Sequence, residues 1–235
     1  MLPFTPMAHG VLVREGLALI FDMDGVIVDS TPVHNESWQV YLRRHGIDQP
    51  LGEIESGMLG KHNAEIVATF FGSGLSAEQV FRHGADKEKV YREMMAPRLA
   101  AQMVPGVAEF VRRHRDLPLA VASNAEPENI AFVLEQSGLH PFFRVVIDGH
   151  QVKRPKPDPE IFLRAAALLE VAPANCIVFE DSDTGIRAAR AAGARVVGLT
   201  TTSPELPGCD LTIPDFRQPA LERWLAEQQP ATTLE

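Results

Sequence analysis

Two aspartates separated by one residue form the most chemically suggestive pattern in this chain, within the segment Phe21-Asp22-Met23-Asp24-Gly25. They follow an apolar run, and side chains at positions i and i+2 leave a strand on the same side, so both carboxylates should face one point. Gly25 would let the chain turn there or let a ligand approach the backbone. Two negative charges this close repel each other unless a cation or a proton neutralises one of them. For an isolated pair of this kind, the alternative interpretation is a polar strand end with a turn.

Two further acids, Glu180 and Asp181, end another apolar run that begins at Cys176. The carboxyl ends of neighbouring parallel strands meet at one edge of a sheet, where open α/β folds bind their ligands. Four acids at that edge would form a pocket rich in oxygen, and Mg²⁺ takes carboxylates, carbonyls and waters as ligands. We therefore predict a Mg²⁺ site formed by Asp22, Asp24, Glu180 and Asp181.

Neutral and positive groups complete the predicted site. Ser123 and Asn124 end a third apolar run and stand just before the start of a predicted helix, which is a favourable place for an anion. Lys156 lies between Pro155 and Pro157, and prolines on both sides restrict the backbone that presents its side chain. Acids, hydrogen-bonding groups and one lysine at neighbouring strand ends are difficult to explain as ordinary turns.

The elements that would position these residues alternate between strands and helices. Near-continuous apolar runs of this length are typical of parallel strands covered on both faces. The predicted strands are 18–24, 117–124, 144–149, 176–181 and 195–200, and the predicted helices between them are 105–115, 127–138, 158–170 and 183–192. This alternation predicts an α/β fold with a Rossmann-like three-layer αβα core built on a parallel sheet.

About 70 residues interrupt this alternation directly after the first predicted strand. The pattern over 33–103 is helical, with predicted helices at 34–45, 62–71, 77–84 and 86–99. We therefore predict a core domain made of 1–32 and 104–235 and an inserted helical cap domain made of 33–103. An insert beside the carboxyl edge of the sheet is a candidate lid over a bound ligand.

Composition and charge exclude several classes of protein. Lys and Arg total 22 against 31 Asp and Glu, which gives a net charge of −9, and no run supplies the basic face of a nucleic-acid-binding protein. No apolar run is long enough to cross a bilayer, and the first residues do not resemble a signal peptide. The two cysteines fit a reducing compartment. We expect a cytoplasmic monomer or weak dimer that has no membrane or nucleic-acid partner.

The motifs Asp22-Met23-Asp24-Gly25, Ser123-Asn124, Lys156-Pro157 and Glu180-Asp181-Ser182, in this order and spacing, resemble those of the haloacid dehalogenase (HAD) superfamily. The resemblance covers nearly the whole chain. More narrowly, it is to the branch with a helical cap after the first motif, which contains β-phosphoglucomutase and many sugar-phosphate phosphatases.

The resemblance implies a role for each matching acid and for the lysine. Asp22 is expected to be the nucleophile that takes the phosphoryl group as an aspartyl-phosphate. Asp24 is expected to be the general acid and base, and its backbone carbonyl is expected to bind Mg²⁺. Lys156 would offset the repulsion between the nucleophile and the phosphate dianion. The family's dehalogenases and phosphonatases lack the second aspartate, so Asp24 indicates phosphate-ester chemistry.

The remaining matches concern phosphate, metal and the cap. Ser123 and Asn124 match the second motif, which holds the phosphoryl oxygens, and Glu180 and Asp181 match the metal-binding acids. In the cap, His34 is a candidate to face the site, although a histidine exposed at the surface or capping the helix is the alternative. Gly60 and Lys61 resemble a cap loop that contacts substrate, with a glycine turn entering a helix as the alternative.

These residues favour a Mg²⁺-dependent phosphatase of a small phosphorylated metabolite, such as a sugar phosphate. A β-phosphoglucomutase-like mutase is the alternative. Two residues disfavour mutase activity. Asn63 lies where the mutases usually have an arginine, and Glu126 follows the second motif, where an acid would repel a second phosphate. Lys61 is a possible replacement for the missing positive charge. A non-catalytic binding module on the same fold is a further alternative, but such a protein would normally have lost at least one of the motif acids.

Overall fold

A computed structural model of the chain describes residues 4–6, 12–14, 16–58 and 63–228, which divide into two compact units. The core unit combines Met1–Asp29 with Gln102–Glu235, and the helical unit is Ser30–Ala101. The predicted insert, 33–103, overlaps the helical unit over nearly its whole length. No helix in the described ranges is both long enough and apolar enough to cross a membrane.

The strands found in the described residues are β1 (Phe4–Pro6), β2 (Leu12–Arg14), β3 (Ala18–Phe21), β4 (Leu119–Ala122), β5 (Val145–Ile147), β6 (Cys176–Glu180), β7 (Arg195–Leu199) and β8 (Leu211–Ile213). The α-helices are α1 (Thr31–Arg44), α2 (Leu51–Met58), α3 (Asn63–Phe71), α4 (Ala77–Met95), α5 (Leu99–Gln102), α6 (Val107–Arg113), α7 (Pro127–Gln136), α8 (Glu160–Leu169), α9 (Asp183–Ala191) and α10 (Pro219–Gln228). All five predicted core strands are present, each ending one to three residues before its predicted end. β1, β2, β8, α2, α5 and α10 were not predicted.

A six-stranded parallel sheet forms the centre of the core unit, in the order β5-β4-β3-β6-β7-β8. β3 therefore lies between β4 and β6, with Phe21 opposite both Val121 and Phe179. This register brings the ends of the three strands that carry the predicted acids and the Ser-Asn pair to one edge. β1 and β2 form a separate antiparallel pair.

Helices cover both faces of this sheet. On one face, buried side chains such as Ala18 and Ile20 pack into a cluster with α8 and α9. On the other face, the rings of Phe21 and Phe179 stack with centroids 4.7 Å apart, and Phe110 of α6 meets Phe21 edge-on at 6.2 Å. The predicted three-layer α/β architecture is thereby confirmed. Because burial of aromatic and aliphatic side chains on both faces is the main stabilising contribution, the strand ends are held on a well-packed base.

The helical unit has its own apolar cluster, which includes Trp38, Leu42, Ile54 and Val67. The prediction of separate helices at 77–84 and 86–99 is wrong, because α4 runs without interruption from Ala77 to Met95. Glycine in a helix costs about 1 kcal/mol relative to alanine. The apolar face of α4 buries Val90, Tyr91 and Met95 against its neighbours, which outweighs the cost of Gly84.

Candidate active site

The segment after β3 is a tight, internally bonded turn. The Asp22 amide donates to the carbonyl of Phe179 on β6, at 3.0 Å, and the amides of Ile27 and Val28 both donate to the Met23 carbonyl. Gly25 has φ +75°, a left-handed conformation that glycine adopts without steric cost. Asp22 is buried and Asp24 is half-buried. The backbone therefore fixes the position of both aspartates.

Lys156 connects three strand ends. Its Nζ donates to Asp22 Oδ1 at 2.5 Å, to Glu180 Oε1 at 2.7 Å and to the Ala122 carbonyl at 3.0 Å. The three acceptors follow or end β3, β6 and β4, and together they use all three ammonium protons. The lysine side chain is 4% exposed, and its Nζ lies 4.8 Å from the centroid of the Phe162 ring. A single buried cation thus organises this edge of the sheet.

Glu180 is held at the start of α9. Its Oε2 accepts from the amides of Asp181 and Ser182 and from the Ser182 hydroxyl, at 3.0–3.1 Å, while Oε1 accepts from Lys156. Gly185 makes room for this carboxylate, because a Cβ at that position would lie 1.8 Å from Oε1. Ser182 is the N-cap of α9, and its hydroxyl accepts from the Gly185 amide. Glu180 therefore has both oxygens engaged by this chain and serves mainly to anchor Lys156.

Asp181 lies directly beside the turn that carries Asp24. A Cβ on Gly25 would lie 1.9 Å from Asp181 Oδ2, so only glycine leaves space for this carboxylate. The same oxygen accepts a hydrogen bond of 2.5 Å from the hydroxyl of Thr202, in the loop after β7. Asp181 is 6% exposed. The sequence contained no signal for Thr202, which belongs to none of the four motifs.

The site contains more negative than positive charge. Burial raises the pKa of Asp181 to about 7, helped by repulsion from Glu180 and Asp24. Burial also raises the pKa of Asp22 well above its ordinary value; Lys156 opposes this effect, and repulsion from Glu180, Asp24 and Asp181 adds to it. Burial alone would lower the pKa of Lys156, but Asp22 and Glu180 outweigh it and raise that pKa. Four acids around one lysine would accommodate a further cation.

The donor atoms suit a hard divalent cation. The carboxylates of Asp22 and Asp181 and the backbone carbonyl of Asp24 offer oxygen only, which is the ligand chemistry of Mg²⁺. Across the described ranges, no three His, Cys, Asp or Glu side chains are already arranged as a metal cage. This agrees with the usual behaviour of Mg²⁺, which keeps several waters and binds through one or two carboxylates together with substrate phosphate.

The Ser-Asn pair lies at the end of β4, next to the Ala122 carbonyl that binds Lys156. The Ser123 amide donates to the Ile147 carbonyl, and the Ser123 hydroxyl accepts from the Ala125 amide at 3.3 Å. Among the described residues, no hydrogen bond reaches the buried Oδ1 of Asn124. The helix α7 begins three residues later, so its amino end faces the same edge. Ser123 and Asn124 directly follow the Ala122 carbonyl that Lys156 binds, and their predicted role toward phosphate stays a prediction.

The side of the site after β4 carries an additional ion pair. Oε2 of Glu126, the N-cap residue of α7, lies 2.8 Å from His150 Nε2. His150 follows β5, and its amide donates to Asp148 Oδ1. The Glu126 carboxylate therefore lies just beyond the Ser-Asn pair, where an acid is expected to disfavour a second phosphate.

In the helical unit, His34 belongs to a buried polar cluster. Lys87 Nζ lies 2.7 Å from His34 Nδ1 and donates to Glu88 Oε1 at 3.0 Å, and the His34 ring stacks on Tyr91 at 3.8 Å. An ammonium group only donates, so Nδ1 accepts and a neutral His34 carries its proton on Nε2. Burial lowers the pKa of His34 to about 3, and Lys87 adds to this effect.

The predicted role of His34 toward substrate stays a prediction. Lys87 is 1% exposed, yet sequence reasoning missed it, because a lysine within a run of charged residues is normally solvated. Gly60 and Lys61, predicted to contact substrate, lie outside the described residues.

Comparisons with known proteins agree with this geometry. A sequence profile of the haloacid dehalogenase-like hydrolases matches residues 17–193. The chain is 29% identical to the β-phosphoglucomutase of Bacillus subtilis, over 83% of this chain and 88% of that protein. It is 32% identical to the fructose-1-phosphate phosphatase YqaB of Escherichia coli, over 77% of this chain and 95% of that protein.

The fold has a solved counterpart of the same type. A crystal structure of β-phosphoglucomutase from Clostridium difficile superimposes with a TM-score of 0.75 at 26% identity, and covers 91% of this chain and 96% of that one. Its similarity, like that of the sequence relatives, extends over most of the chain.

Proposed function

The chain belongs to the haloacid dehalogenase-like hydrolases, and from this premise we propose that it hydrolyses phosphate monoesters of small, sugar-like metabolites through an aspartyl-phosphate on Asp22. The observation that carries the proposal is the convergence on Lys156. One buried ammonium group binds Asp22, Glu180 and the end of β4, while Asp181 lies beside the Asp24-Gly25 turn. This arrangement supports attack by a carboxylate on a phosphate that the same edge of the sheet binds.

In the first step, an Asp22 carboxylate oxygen attacks phosphorus while the bond from phosphorus to the ester oxygen breaks. Asp24 gives its proton to the departing oxygen, so the alcohol leaves neutral. Lys156 keeps positive charge beside Asp22, which lowers the repulsion between the carboxylate and the phosphate dianion. The Ser123 side chain and the amides at the start of α7 would hold the other phosphoryl oxygens.

In the second step, Asp24 takes a proton from water and the hydroxide attacks phosphorus. The bond between Asp22 and phosphorus breaks, which returns the free carboxylate and releases inorganic phosphate. The protons balance, because Asp24 loses one in the first step and regains one in the second. Acid and base action by one positioned group typically contributes about 10²–10⁴-fold to the rate.

Mg²⁺ is the cation we propose for the site, with Asp22, Asp24 and Asp181 as the residues that would hold it. When bound, it supplies positive charge that neutralises the acids and polarises a phosphoryl oxygen. Glu180 is also predicted from the sequence as a Mg²⁺ ligand. Its contacts with Lys156 and the start of α9 favour an anchoring role instead.

A screen of phosphorylated metabolites with Mg²⁺, read out as released phosphate, tests the proposal. Asp22→Asn should abolish turnover, whereas Asp116→Asn, an exposed aspartate before β4, should leave it unchanged. Asp24→Asn should reduce the rate by about 10²-fold or more. Turnover by the Asp22 variant above a trace would overturn the covalent route.

A phosphomutase is the second candidate, because relatives include β-phosphoglucomutases. Glu126 favours hydrolysis, since a carboxylate directly after the Ser-Asn pair repels a second phosphate. Incubation with a hexose 1-phosphate separates the two: free phosphate supports the phosphatase, and a hexose 6-phosphate formed without net phosphate release supports the mutase. We propose that the helical unit is the cap domain of this enzyme.

A further inference from the structure

Thr202 makes the best-defined contact to the site from outside the four motifs. Its Oγ1 lies 2.5 Å from Asp181 Oδ2 and 3.1 Å from the Asp181 backbone carbonyl. A hydroxyl has one proton, so the closer and charged carboxylate oxygen receives it. The loop that carries Thr202 is fixed at its start, where the Thr200 amide donates to the Ile213 carbonyl of β8 at 3.0 Å.

Asp181 has few other contacts that set its orientation. Its Oδ2 lies against Gly25, where no Cβ would fit. Across the described part of the chain, no hydrogen bond is made to its Oδ1. The Thr202 hydroxyl and the surface of Gly25 therefore define how this carboxylate faces the site.

We propose that Thr202 is a positioning residue for Asp181, which holds Oδ2 so that Oδ1 points to the divalent cation. This inference rests on the proposed function. The Lys156 ammonium group places positive charge beside Asp22 and Glu180, whereas the neutral Thr202 hydroxyl binds one oxygen of Asp181 and leaves its charge for the metal. Hydrogen bonds to a metal-binding carboxylate orient it, and their loss typically weakens metal binding about 10–100-fold.

The test uses three variants of the full chain. Thr202→Val keeps the shape and removes the hydroxyl, Thr202→Ser keeps the hydroxyl, and Thr201→Val changes the neighbouring threonine. Among the hydrogen bonds of the described residues, none joins Thr201 to Asp181. The Thr202 side chain is at the surface, so its substitution does not open the core, and thermal unfolding verifies that each variant is folded.

Binding of Mg²⁺ is measured by calorimetry and binding of Mn²⁺ by electron paramagnetic resonance, both without substrate. Thr202→Val should weaken both affinities about 10–100-fold, and Thr202→Ser and Thr201→Val should stay close to the wild type. In the activity assay, the Mg²⁺ concentration for half-maximal rate should rise by a similar factor, while kcat at saturating Mg²⁺ stays close to that of the wild type. A purely structural role for Thr202 would not produce this split.

Wild-type affinity in Thr202→Val overturns the inference. So does an equal loss in Thr202→Ser or Thr201→Val, because the hydroxyl of Thr202 would then not be the cause. If the wild type releases phosphate with Mg²⁺ and Thr202→Val binds the cation with normal affinity, only the role of Thr202 is overturned. A wild-type protein that neither binds the cation nor releases phosphate removes the proposed function as well.

Discussion

Replacing Lys156 with methionine tests the charge arrangement of the site most severely. The variant keeps a long side chain but removes the ammonium group that lies over the Phe162 ring and binds Asp22 Oδ1, Glu180 Oε1 and the Ala122 carbonyl. Asp22 is 7% exposed and Glu180 is 1% exposed, so both carboxylates would remain buried without their cation. Removing one partner of a buried ion pair typically costs about 3–5 kcal/mol of the free energy of unfolding.

The assay is urea unfolding in chelator at pH 8. With a urea slope of about 3 kcal/mol per M, a loss of about 3–5 kcal/mol lowers the unfolding midpoint by about 1–1.7 M. The protein has two tryptophans, and Trp224 lies in α10 of the core unit. Its fluorescence in a Trp38→Phe background reports the core unit alone. Lys153→Met, an exposed lysine in the same loop, should stay within about 0.5 kcal/mol of its parent.

The loss of stability in Lys156→Met should also depend on pH, in a direction that the charges of the site predict. Burial raises the pKa of Asp22, and without Lys156 nothing opposes this effect, so the folded variant holds a proton that the unfolded chain has already released. Its stability therefore falls as pH rises, and the deficit against the wild type shrinks toward about pH 5. Adding Asp22→Asn to Lys156→Met removes one unpaired charge and should recover part of the loss. A Lys156→Met protein as stable as Lys153→Met at pH 8 would refute this account.

Three other perturbations have equally specific outcomes. Gly25→Ala should destabilise the protein more than Gly46→Ala, because both positions have φ near +75° but only a Cβ at position 25 collides with Asp181. Gly46→Ala should cost about 1–2 kcal/mol of stability and keep activity, whereas Gly25→Ala should lose Mg²⁺-dependent phosphate release. Equal effects of the two variants in the urea and activity assays would contradict this prediction. Excess chelator should stop phosphate release and added Mg²⁺ should restore it, so full activity in chelator would exclude the cation. The pKa of His34 is about 3 in the folded protein, so as pH falls below 6.5 the unfolded chain takes up a proton on His34 before the folded protein does, and stability is lost. His34→Gln should therefore lose less stability than the wild type between about pH 7.5 and pH 4.5. An equal loss in the two proteins would show that His34 does not contribute to this pH dependence.

The sheet and the four motifs could be predicted from the sequence because their signals are local. Apolar runs such as Cys176–Glu180 are typical of strands buried on both faces, and each acid directly follows or ends such a run. Parallel strands place their carboxyl ends at one edge, so residues 134 positions apart, Asp22 and Lys156, were expected to meet. The fold class follows from the same alternation of strands and helices.

The features that were missed have no local signal. Gly84 reads as a helix end, but tertiary packing of α4 overrides the propensity of a single glycine. Lys87 reads as a solvated charge, and only the packing of α1 against α4 shows that it pairs with Glu88 and lies beside His34. Thr202 lies in a loop without a motif, and its contact with Asp181 depends on how the chain leaves β7.

Mass spectrometry of enzyme quenched in acid during turnover tests the central claim most directly. Asp22 is predicted to carry a phosphoryl group that hydroxylamine removes, while Asp116 and the other acids remain unmodified. Steady phosphate release with no phosphoryl group on Asp22, or with the group on another residue, would contradict the account.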